Sequence, residues 1–459
     1  MDNKISDLLT TQRSFFKEGK TQEVALRIEK LKLLRSVIEV REKEICDALY
    51  KDFKKPVFES VLSETGFIIS ELEYVIKRLK DWSKPEKISS SWTNFPSSDY
   101  IYSEPYGTCL IIAPWNYPFQ LAISPIMGAI AAGNTVVLKP SELAPHTSQI
   151  LADILEKVFD PAMLAVIQGG IPISEELLKE KWDYVFFTGS VPVGRIVAKA
   201  IAPHLTPSTL ELGGKNPCII HSSAKVELAA KRIVWGKFLN AGQTCIAPDY
   251  ILIDKSIKSN FIDAVKKEIT AAYGTNPEHS KDYARIINSK NFDRLSNMLL
   301  GEHCVAGGDL NAADLFISPS IIDEPSLESK IMEDEIFGPL LPVISYSNET
   351  DIYPVISNYA KPLALYVFSE ENSFSEKIIK NYSFGGGAIN DVVVQVVNKK
   401  MPFGGVGNSG KGAYHGKFTF DTFSHKKSIT KRGTWLDVPL RYAPYTGKLG
   451  LAGKLIKKF

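Results

Sequence analysis

A cysteine that follows a loop of small and polar residues is the group in this chain best suited to covalent chemistry. The helical pattern of residues 225–238 ends before Leu-Asn-Ala-Gly-Gln-Thr, and Cys245 comes directly after it. Gly242 can adopt backbone angles that are closed to other residues, so the chain can turn sharply and present the thiol on a loop. A thiolate there can attack an electrophilic carbon. The alternative is a small buried side chain, the usual state of a free cysteine.

Two other polar side chains follow predicted strands. Asn116 lies between two prolines in Pro-Trp-Asn-Tyr-Pro, so its amide is a rigid donor suited to a developing oxyanion, although a turn asparagine that bonds its own backbone explains it as well. Glu211 ends another strand before two glycines, and it can act as a general base only if burial raises its pKa. A third polar stretch, residues 333–339, is on its own an acidic loop before a Gly-Pro turn.

Two stretches have side chains that can hold a nucleotide. Lys139 and Glu142 follow a strand and can hydrogen-bond a ribose, although an ordinary surface pair has the same sequence. Residues 186–194, Phe-Phe-Thr-Gly-Ser-Val-Pro-Val-Gly, run from strand to turn to helix, and amides at Gly189 and Ser190 can face a phosphate there. This stretch is not Gly-x-Gly-x-x-Gly, and a plain N-cap explains the serine equally well.

Length and composition indicate a globular protein with room for two to four domains. Of the 459 residues, 44% are hydrophobic and 23% are charged, and the formal net charge of +2 gives no reason to expect nucleic acid. The five cysteines are scattered and lack Cys-x-x-Cys spacing, which favours a reducing compartment over a disulfide framework. The histidines are equally dispersed, so we predict no structural or catalytic metal.

Three segments bear on membrane contact. No charged residue lies between Glu104 and Lys139, but the prolines in this span favour buried strands and a helix over a membrane crossing. The first residues lack the basic region and apolar core of a signal peptide. Residues 448–459 are short, basic and apolar, and a tail docked on the body is favoured over membrane association. We therefore expect a cytoplasmic protein without a transmembrane segment.

The pattern of apolar residues predicts an α/β protein. Residues 21–53 and 60–82 have helical periodicity. From Gly107 onward short apolar strands alternate with helices, which indicates a parallel sheet that is covered on both faces and binds ligands at the carboxyl ends of its strands. The strands predicted for this sheet are residues 108–113, 135–138, 165–168, 184–187 and 209–212.

A second alternation begins after Glu211, with strands predicted over residues 218–220, 250–253, 341–345, 365–368 and 387–389. Residues 87–103 contain an Asn-Phe-Pro-Ser-Ser turn between extended stretches, which is typical of a hairpin. The fold class is therefore two Rossmann-like parallel-sheet domains plus a small β oligomerisation arm. We expect a dinucleotide-binding domain of residues 1–86 and 104–210, a catalytic domain of 211–400, an oligomerisation and bridging arm of 87–103 and 401–430, and a C-terminal tail of 431–459.

Taken together in order and spacing, these motifs resemble the NAD(P)-dependent aldehyde dehydrogenases over essentially the whole chain. The short N-terminus and the Gly-rich residues 407–416 are most similar to the class 3 branch, which acts on fatty and aromatic aldehydes. The motifs that carry the resemblance are residues 114–118, Phe187-Thr-Gly-Ser with Gly194, residues 211–215, 240–245, 335–339 and 402–405.

The resemblance implies a role for each candidate residue. Cys245 would be the nucleophile that forms a thiohemiacetal and then a thioester, Asn116 would hold the oxyanion, and Glu211 would activate the water that releases a carboxylic acid. The cofactor-binding residues would be Lys139 and Glu142 at the adenosine ribose, Thr188, Gly189, Ser190 and Gly194 near the pyrophosphate, and Glu335 and Phe337 at the nicotinamide end.

The same resemblance sets further expectations. NAD is the expected cofactor, with NADP also accepted, because Glu142 would repel a 2′-phosphate that Lys139 would attract. The expected substrate is a small-molecule aldehyde, either medium- or long-chain aliphatic or aromatic, and the expected assembly is a homodimer. Val191 replaces the threonine that many relatives have after the serine, which removes one hydroxyl from the phosphate region.

Two other classes of function compete with aldehyde oxidation. A cysteine hydrolase would use Cys245 without redox chemistry, but no histidine adjoins that residue in the sequence to serve as its base. A binding protein that kept only the fold would have lost part of the site, whereas every candidate residue is present. No neighbouring basic residue explains how the thiol would be activated.

Overall fold

The structure is a computed structural model that describes residues 2–450 and 453. Much of the predicted C-terminal tail segment, residues 448–459, therefore lies outside the described residues. Within them, the helices are α1 Asp2–Lys17, α2 Val24–Phe53, α3 Val57–Ser60, α4 Gly66–Trp82, α5 Gln120–Ala132, α6 Pro145–Val158, α7 Ile171–Lys179, α8 Val191–Ile201, α9 Val226–Phe238, α10 Lys258–Tyr273, α11 Ser289–Leu299, α12 Lys330–Glu333, α13 Ile352–Ser357, α14 Asn372–Asn381 and α15 Lys417–Thr422.

The strands form two large sheets, a three-stranded sheet and a two-stranded ribbon. In chain order they are β1 Glu86–Ile88, β2 Ser97–Pro105, β3 Thr108–Ile112, β4 Thr135–Lys139, β5 Leu164–Val166, β6 Tyr184–Thr188, β7 Ser208–Glu211, β8 Pro217–Ile220, β9 Tyr250–Asp254, β10 Cys304–Ala306, β11 Leu310–Asn311, β12 Phe316–Ile317, β13 Ser320–Asp323, β14 Leu340–Tyr346, β15 Ala364–Phe368, β16 Gly386–Ile389, β17 Gly410–Lys411 and β18 Ser424–Arg432.

The first large sheet has the strand order β17-β7-β6-β3-β4-β5. The pairs from β7 to β5 are parallel, and β17 joins antiparallel at the edge. Strand β3 is buried along its whole length, as a strand covered on both faces must be. The carboxyl ends of β3, β4, β6 and β7 lead directly to the predicted Asn116, Lys139, Ser190 and Glu211 segments. The topology therefore gathers these four segments at one edge of the sheet.

The second large sheet has the order β10-β13-β14-β9-β8-β15-β16, with parallel pairs from β13 to β16 and an antiparallel edge strand β10. Five of these strands are those predicted from the sequence. Strand β13 was not predicted, because Ser-Ile-Ile-Asp contains only two consecutive apolar residues beside Pro319. The prediction of two parallel-sheet units is confirmed.

The predicted hairpin is present and gains a third strand from the end of the chain. Strand β1 pairs antiparallel with β2, and β2 pairs along its whole length with β18, from Pro105 opposite Ser424 to Ser97 opposite Arg432. This three-stranded sheet of β1, β2 and β18 is called the arm. In the part of the chain that the structure describes, no helix is long and apolar enough to cross a bilayer.

The predicted helix of residues 60–82 is interrupted. Helix α3 leads into a π-helical turn, Val61–Thr65, and α4 continues in the same direction with helical backbone angles at both junctions. The amide of Gly66 donates to the carbonyl of Val61, the five-residue spacing of a π-helix. Apolar periodicity could not locate this extra residue, because both sides of it are helical.

Candidate active site

The loop before Cys245 has an unusual backbone. Helix α9 ends at Phe238, and Asn240, Ala241 and Gly242 follow with φ values of +56°, +51° and +74°. Glycine adopts this left-handed region freely, but the other two residues do so at an energetic cost and need support from their surroundings. A side chain at position 242 would bring its Cβ within 2.3 Å of the Gly338 carbonyl oxygen. The loop therefore packs closely against the backbone of Gly338 and Pro339.

Two buried side chains inside the loop supply part of this support. The Asn240 amide donates to the carbonyl oxygens of Asn116 at 2.9 Å and Gln243 at 3.1 Å. The Gln243 amide donates to the carbonyls of Asn240 and Arg285, and its oxygen accepts the N–H of Ile287. These bonds tie the loop to itself and to two distant segments. The sequence did not assign a role to either residue, because Cys245 was the only member of the 240–245 motif with an evident chemical function.

Cys245 is partly buried, and its backbone is fixed by two neighbouring side chains. The Asn216 amide donates to the Cys245 carbonyl at 2.8 Å, and the Tyr366 hydroxyl donates to the Ile246 carbonyl at 2.6 Å. Burial first, and then the Glu335 and Glu211 carboxylates, raise the pKa of the Cys245 thiol to about 12. The thiol is therefore protonated at neutral pH and must be activated when the site is filled.

Asn116 lies beside this loop, as its predicted role requires. The side chain is buried, and its amide donates to the Gln243 carbonyl at 3.1 Å. The next residue adds a second link, because the Tyr117 hydroxyl lies 2.6 Å from the Thr244 hydroxyl. The structure thus joins the strand-end loop after β3 to the residues just before Cys245.

Glu211 carries a carboxyl group that is buried. It is 3% exposed, and both of its carboxyl oxygens lack a partner among the described residues. Burial raises its pKa well above the ordinary value for glutamate. A group of this kind is neutral when the site is dry and can accept a proton once water or substrate enters, which is the condition set for a general base.

Glu335 lies against the glycines that follow Glu211. A Cβ at Gly213 would be 2.0 Å from a Glu335 carboxylate oxygen, so any larger residue there would displace that carboxylate, and the Gly214 amide donates to the same carboxylate. Burial, together with the Asp249 carboxylate, raises the pKa of Glu335 to about 8. Because the Glu335 and Glu211 charges both raise the pKa of the Cys245 thiol, the three groups belong to one site.

A buried ion pair that the sequence did not reveal holds the Glu335 loop. The Lys215 ammonium donates to the Asp249 carboxylate at 2.7 Å and to the carbonyls of Ile331 and Asp334. The other Asp249 oxygen accepts the Ile336 amide at 2.9 Å. Lys215 was part of a quoted motif, but its partner is distant in sequence and could not be inferred from it.

Phe337 and Trp115 make a second contact between the loops. Phe337 has a φ of +49°, and its ring meets the Trp115 ring edge-on at 5.4 Å between centroids. Trp115 precedes Asn116, so the aromatic contact links the oxyanion candidate to the Glu335 loop. Phe337 therefore lies next to the residue that precedes Asn116.

The remaining candidates lie at the ends of β4 and β6. Lys139 is buried and forms an ion pair with the partly exposed Glu142. The Thr188 hydroxyl is buried without a partner among the described residues, and Ser190 is the N-cap of α8 without a side-chain capping bond. An uncapped helix start and an orphaned hydroxyl at the end of β6, and a lysine–glutamate pair at the end of β4, lie on either side of β3 and fit the phosphates and ribose of a dinucleotide.

The candidate metal ligands of the chain stay apart. Among residues 2–450 and 453, no group of three or more histidine, cysteine, aspartate or glutamate side chains is arranged to hold a metal ion.

Comparison with known proteins agrees with this geometry. The aldehyde dehydrogenase family matches residues 3–429. The 4,4'-diaponeurosporen-aldehyde dehydrogenase of Staphylococcus aureus is 43% identical over 100% of this chain and 99% of its own length. The aldehyde dehydrogenase family 3 member H1 of Arabidopsis thaliana is 44% identical over 99% of this chain and 95% of its own length.

A solved structure and a further relative, compared by sequence, also match this chain. The substrate-bound state of Staphylococcus aureus AldH superposes with a TM-score of 0.97 at 42% identity, covering 98% of this chain and 99% of that one. The dimeric NADP-preferring aldehyde dehydrogenase of Canis lupus familiaris is 43% identical over 97% of this chain and 99% of its own length. The resemblance to the class 3 branch is confirmed, and the chain belongs to the aldehyde dehydrogenase family, whose members are oxidoreductases that act on aldehydes.

Proposed function

We propose that this chain oxidises aldehydes to carboxylic acids with NAD(P), through a covalent intermediate on Cys245. The observation that carries the proposal is the junction of loops at one edge of the sheet. Asn116 bonds the loop before Cys245, and Glu211 has two buried carboxyl oxygens without a partner among the described residues. A nucleophile, an amide donor and a base of raised pKa are the groups that this covalent chemistry requires.

Each of the three residues has one task in the reaction. The Cys245 thiolate adds to the aldehyde carbon, and the resulting oxyanion accepts hydrogen bonds from the Asn116 side chain and the Cys245 amide. A bound nicotinamide would supply the acceptor for the hydride, and loss of that hydride from the thiohemiacetal would leave a thioester on Cys245. Glu211 then takes a proton from water, whose oxygen attacks the thioester carbon and breaks the carbon–sulfur bond, so that the acid leaves with Cys245 as the thiolate and the proton on Glu211 passes to solvent.

Lys139 and Glu142 are proposed to bind the adenosine ribose. A carboxylate accepts hydrogen bonds from ribose hydroxyls and repels a 2′-phosphate, whereas an ammonium attracts one. Their ion pair presents both groups together, so the site is expected to use NAD and to accept NADP. A relative from Mus musculus is named as NADP-preferring, which supports acceptance of the phosphorylated form.

The other cofactor contacts are assigned to two loops. The segment from the end of β6 into the first turn of α8 is proposed to face the pyrophosphate through Thr188, Gly189, Ser190 and Gly194. Glu335 is proposed to bind the nicotinamide ribose, because it lies beside the Cys245 site and the residue is only partly buried. Phe337 would pack beside the nicotinamide.

The proposed substrate is a medium- or long-chain aliphatic aldehyde or an aromatic one. The Staphylococcus aureus relative is named as a 4,4'-diaponeurosporen-aldehyde dehydrogenase, which supports a substrate whose aldehyde is carried by an apolar group. Turnover of a panel of short, long and aromatic aldehydes with each dinucleotide tests this. We expect reduced nicotinamide and acid in equal amounts, with kcat/KM about tenfold or more higher for apolar aldehydes than for acetaldehyde, since a few buried methylenes contribute that much. Binding of dinucleotide without turnover across the panel would contradict the proposal.

The arm is proposed to pair two copies of the chain. Strand β18 forms one edge of the arm, and Ile429 on it is 42% exposed. An exposed strand edge is suited to pairing with another chain. The canine relative is named as dimeric, which supports a homodimer here.

Sedimentation at micromolar concentration tests the dimer. We expect the wild-type chain to sediment at twice its own mass and Ile429→Glu to raise the dissociation constant by about tenfold or more, since a buried charge opposes pairing. Val40 is an equally apolar and more exposed residue on α2, so Val40→Glu should leave the dimer intact. A wild-type monomer would contradict the prediction.

We also propose the division into domains and the location of the protein. The dinucleotide-binding domain comprises residues 1–86 and 104–210, the catalytic domain 211–400, the arm with its bridging segment 87–103 and 401–430, and the tail 431–459. The change from one parallel sheet to the other between β7 and β8 supports the main boundary. All five cysteines are free, which supports a cytoplasmic, reducing location.

A further inference from the structure

The π-helical turn between α3 and α4 directs two buried carboxylates toward the candidate active site. Glu59 lies just before the turn and Glu64 within it, and the two are 8% and 0% exposed. Such turns interrupt a helix at an energetic cost and occur often at functional sites. The Ser63 hydroxyl donates to the Glu59 carbonyl, which satisfies a group near the interruption.

Glu64 holds the segment that follows Asn116. One of its oxygens accepts the amides of Phe119 at 2.9 Å and Gln120 at 3.0 Å, at the start of α5. The other oxygen accepts from the Lys55 ammonium at 2.7 Å, and this ion pair is fully buried. Removing one member would leave an unpaired buried charge, so Glu64 has a strong structural role.

Glu59 holds the other side of the site. Its carboxylate accepts the backbone amide of Asn240 at 2.9 Å, a bond between residues 181 positions apart in the sequence. Asn240 is the first of the three left-handed residues before Cys245, and its side chain bonds the carbonyl of Asn116. The π-helical turn is therefore tied to both the nucleophile loop and the oxyanion candidate.

The environment of Glu59 distinguishes it from its neighbour. Glu64 is neutralised by a direct ion pair, whereas the hydrogen bond of Glu59 is to an uncharged amide. Burial raises the pKa of Glu59 to about 7, although the Lys55 charge acts in the opposite direction. A buried carboxylate of this kind costs stability, so its presence calls for a function that a neutral apolar residue would not supply.

We propose that Glu59 is a positioning residue for the reaction at Cys245. By accepting the Asn240 amide it holds the left-handed turn, and this turn sets the distance between Cys245 and the Asn116 amide. The inference rests on the proposed covalent function and names a residue that supports it from outside the site. Its essential feature is an oxygen acceptor at this position.

Three variants of Glu59 separate an acceptor from simple packing. Glu59→Gln keeps an oxygen at the same reach, Glu59→Met keeps the length without an acceptor, and Glu59→Asp withdraws the oxygen by one methylene. We expect kcat to stay within about threefold of wild type for glutamine and to fall about 10- to 100-fold for methionine, because an unpaired buried amide carries a cost of that size. The kcat of the aspartate variant should lie between these two values. KM for NAD should be unchanged in all three variants. Glu73→Met, on an exposed face of α4, is the matched control.

A second measurement does not depend on aldehyde turnover. The rate at which iodoacetamide alkylates Cys245, without aldehyde or dinucleotide and at one fixed pH, reports the position of the thiol alone. We expect the same order, with glutamine near wild type and methionine at least about tenfold different from it. If the alkylation rates of the wild type and the variants follow this order but the wild type oxidises no aldehyde, the proposed function is overturned and the positioning role stands.

Other outcomes overturn the positioning role. Wild-type alkylation and kcat in the methionine variant would show that the bond is dispensable. Equal losses in the glutamine and methionine variants would show that charge, not the acceptor oxygen, matters. If thermal melting shows that the methionine variant is unfolded, aspartate replaces it in the comparison, and unchanged kinetics in aspartate would overturn the proposal.

Discussion

Replacing Cys245 by alanine is expected to lower kcat for aldehyde oxidation by at least about a thousandfold, because no other group can form the covalent intermediate. The affinity for NAD should stay within about twofold of wild type, since the proposed dinucleotide contacts lie at other strand ends. Rates of nicotinamide reduction and the dissociation constant of NAD measure the two effects. Cys304, at the edge of the second large sheet, supplies the control variant Cys304→Ala, which should retain activity.

The pKa of the same thiol gives this prediction a second readout. Burial first, and then the two carboxylates, raise the pKa to about 12, so the thiolate is the minor form at neutral pH. Because the thiolate is the reactive form, alkylation of the free enzyme should rise roughly tenfold per pH unit across roughly pH 6 to 9. A rate that levels off near neutral pH would show that the thiol is already ionised, and oxidation at the wild-type rate by Cys245→Ala would rule out the mechanism.

The sheets were predictable from the sequence because parallel strands that are buried on both faces are runs of apolar residues. Strands such as Thr108–Ile112 and Ala364–Phe368 need no long-range information to be recognised. Short strands with polar ends, such as Ser320–Asp323, become strands only because a neighbouring strand is available for pairing. The π-helical turn was missed for a similar reason, since its cause lies in what Glu59 and Glu64 contact.

The residues of the candidate site also fall into those that local sequence reveals and those that only long-range contacts reveal. Residue type and loop position were enough to name Cys245, Asn116 and Glu211 as candidates, because each follows an element whose end could be recognised, but only the family resemblance assigned their roles. The groups that hold them were not accessible from the sequence, because contacts such as Lys215 with Asp249 or Glu59 with Asn240 join segments that are far apart. The pKa of the thiol was equally inaccessible, since burial is its main cause and no adjacent residue reveals it.

Replacing Glu211 by glutamine should separate the two halves of the reaction. The variant keeps the size of the side chain but cannot take a proton from water, so hydrolysis of the thioester should slow by about 100- to 10,000-fold. The steps before it need no base at this position, so a rapid burst of one reduced nicotinamide per site should precede the slow phase. Rapid mixing measures the burst, and intact-protein mass measures the acyl group on Cys245. Glu370→Gln, at an exposed glutamate, is the control and should match wild type.

The pH dependence of acid release tests whether Glu211 is the base in the slow step. Burial raises its pKa well above the ordinary value, so the basic form is scarce at low pH and increases as the pH rises. Release of acid by the wild-type enzyme should therefore accelerate with pH up to that raised pKa, while the glutamine variant should lack this dependence. Loss of the burst as well as of steady turnover would place Glu211 in an earlier step. A variant that hydrolyses its thioester at the wild-type rate would show that another group activates the water.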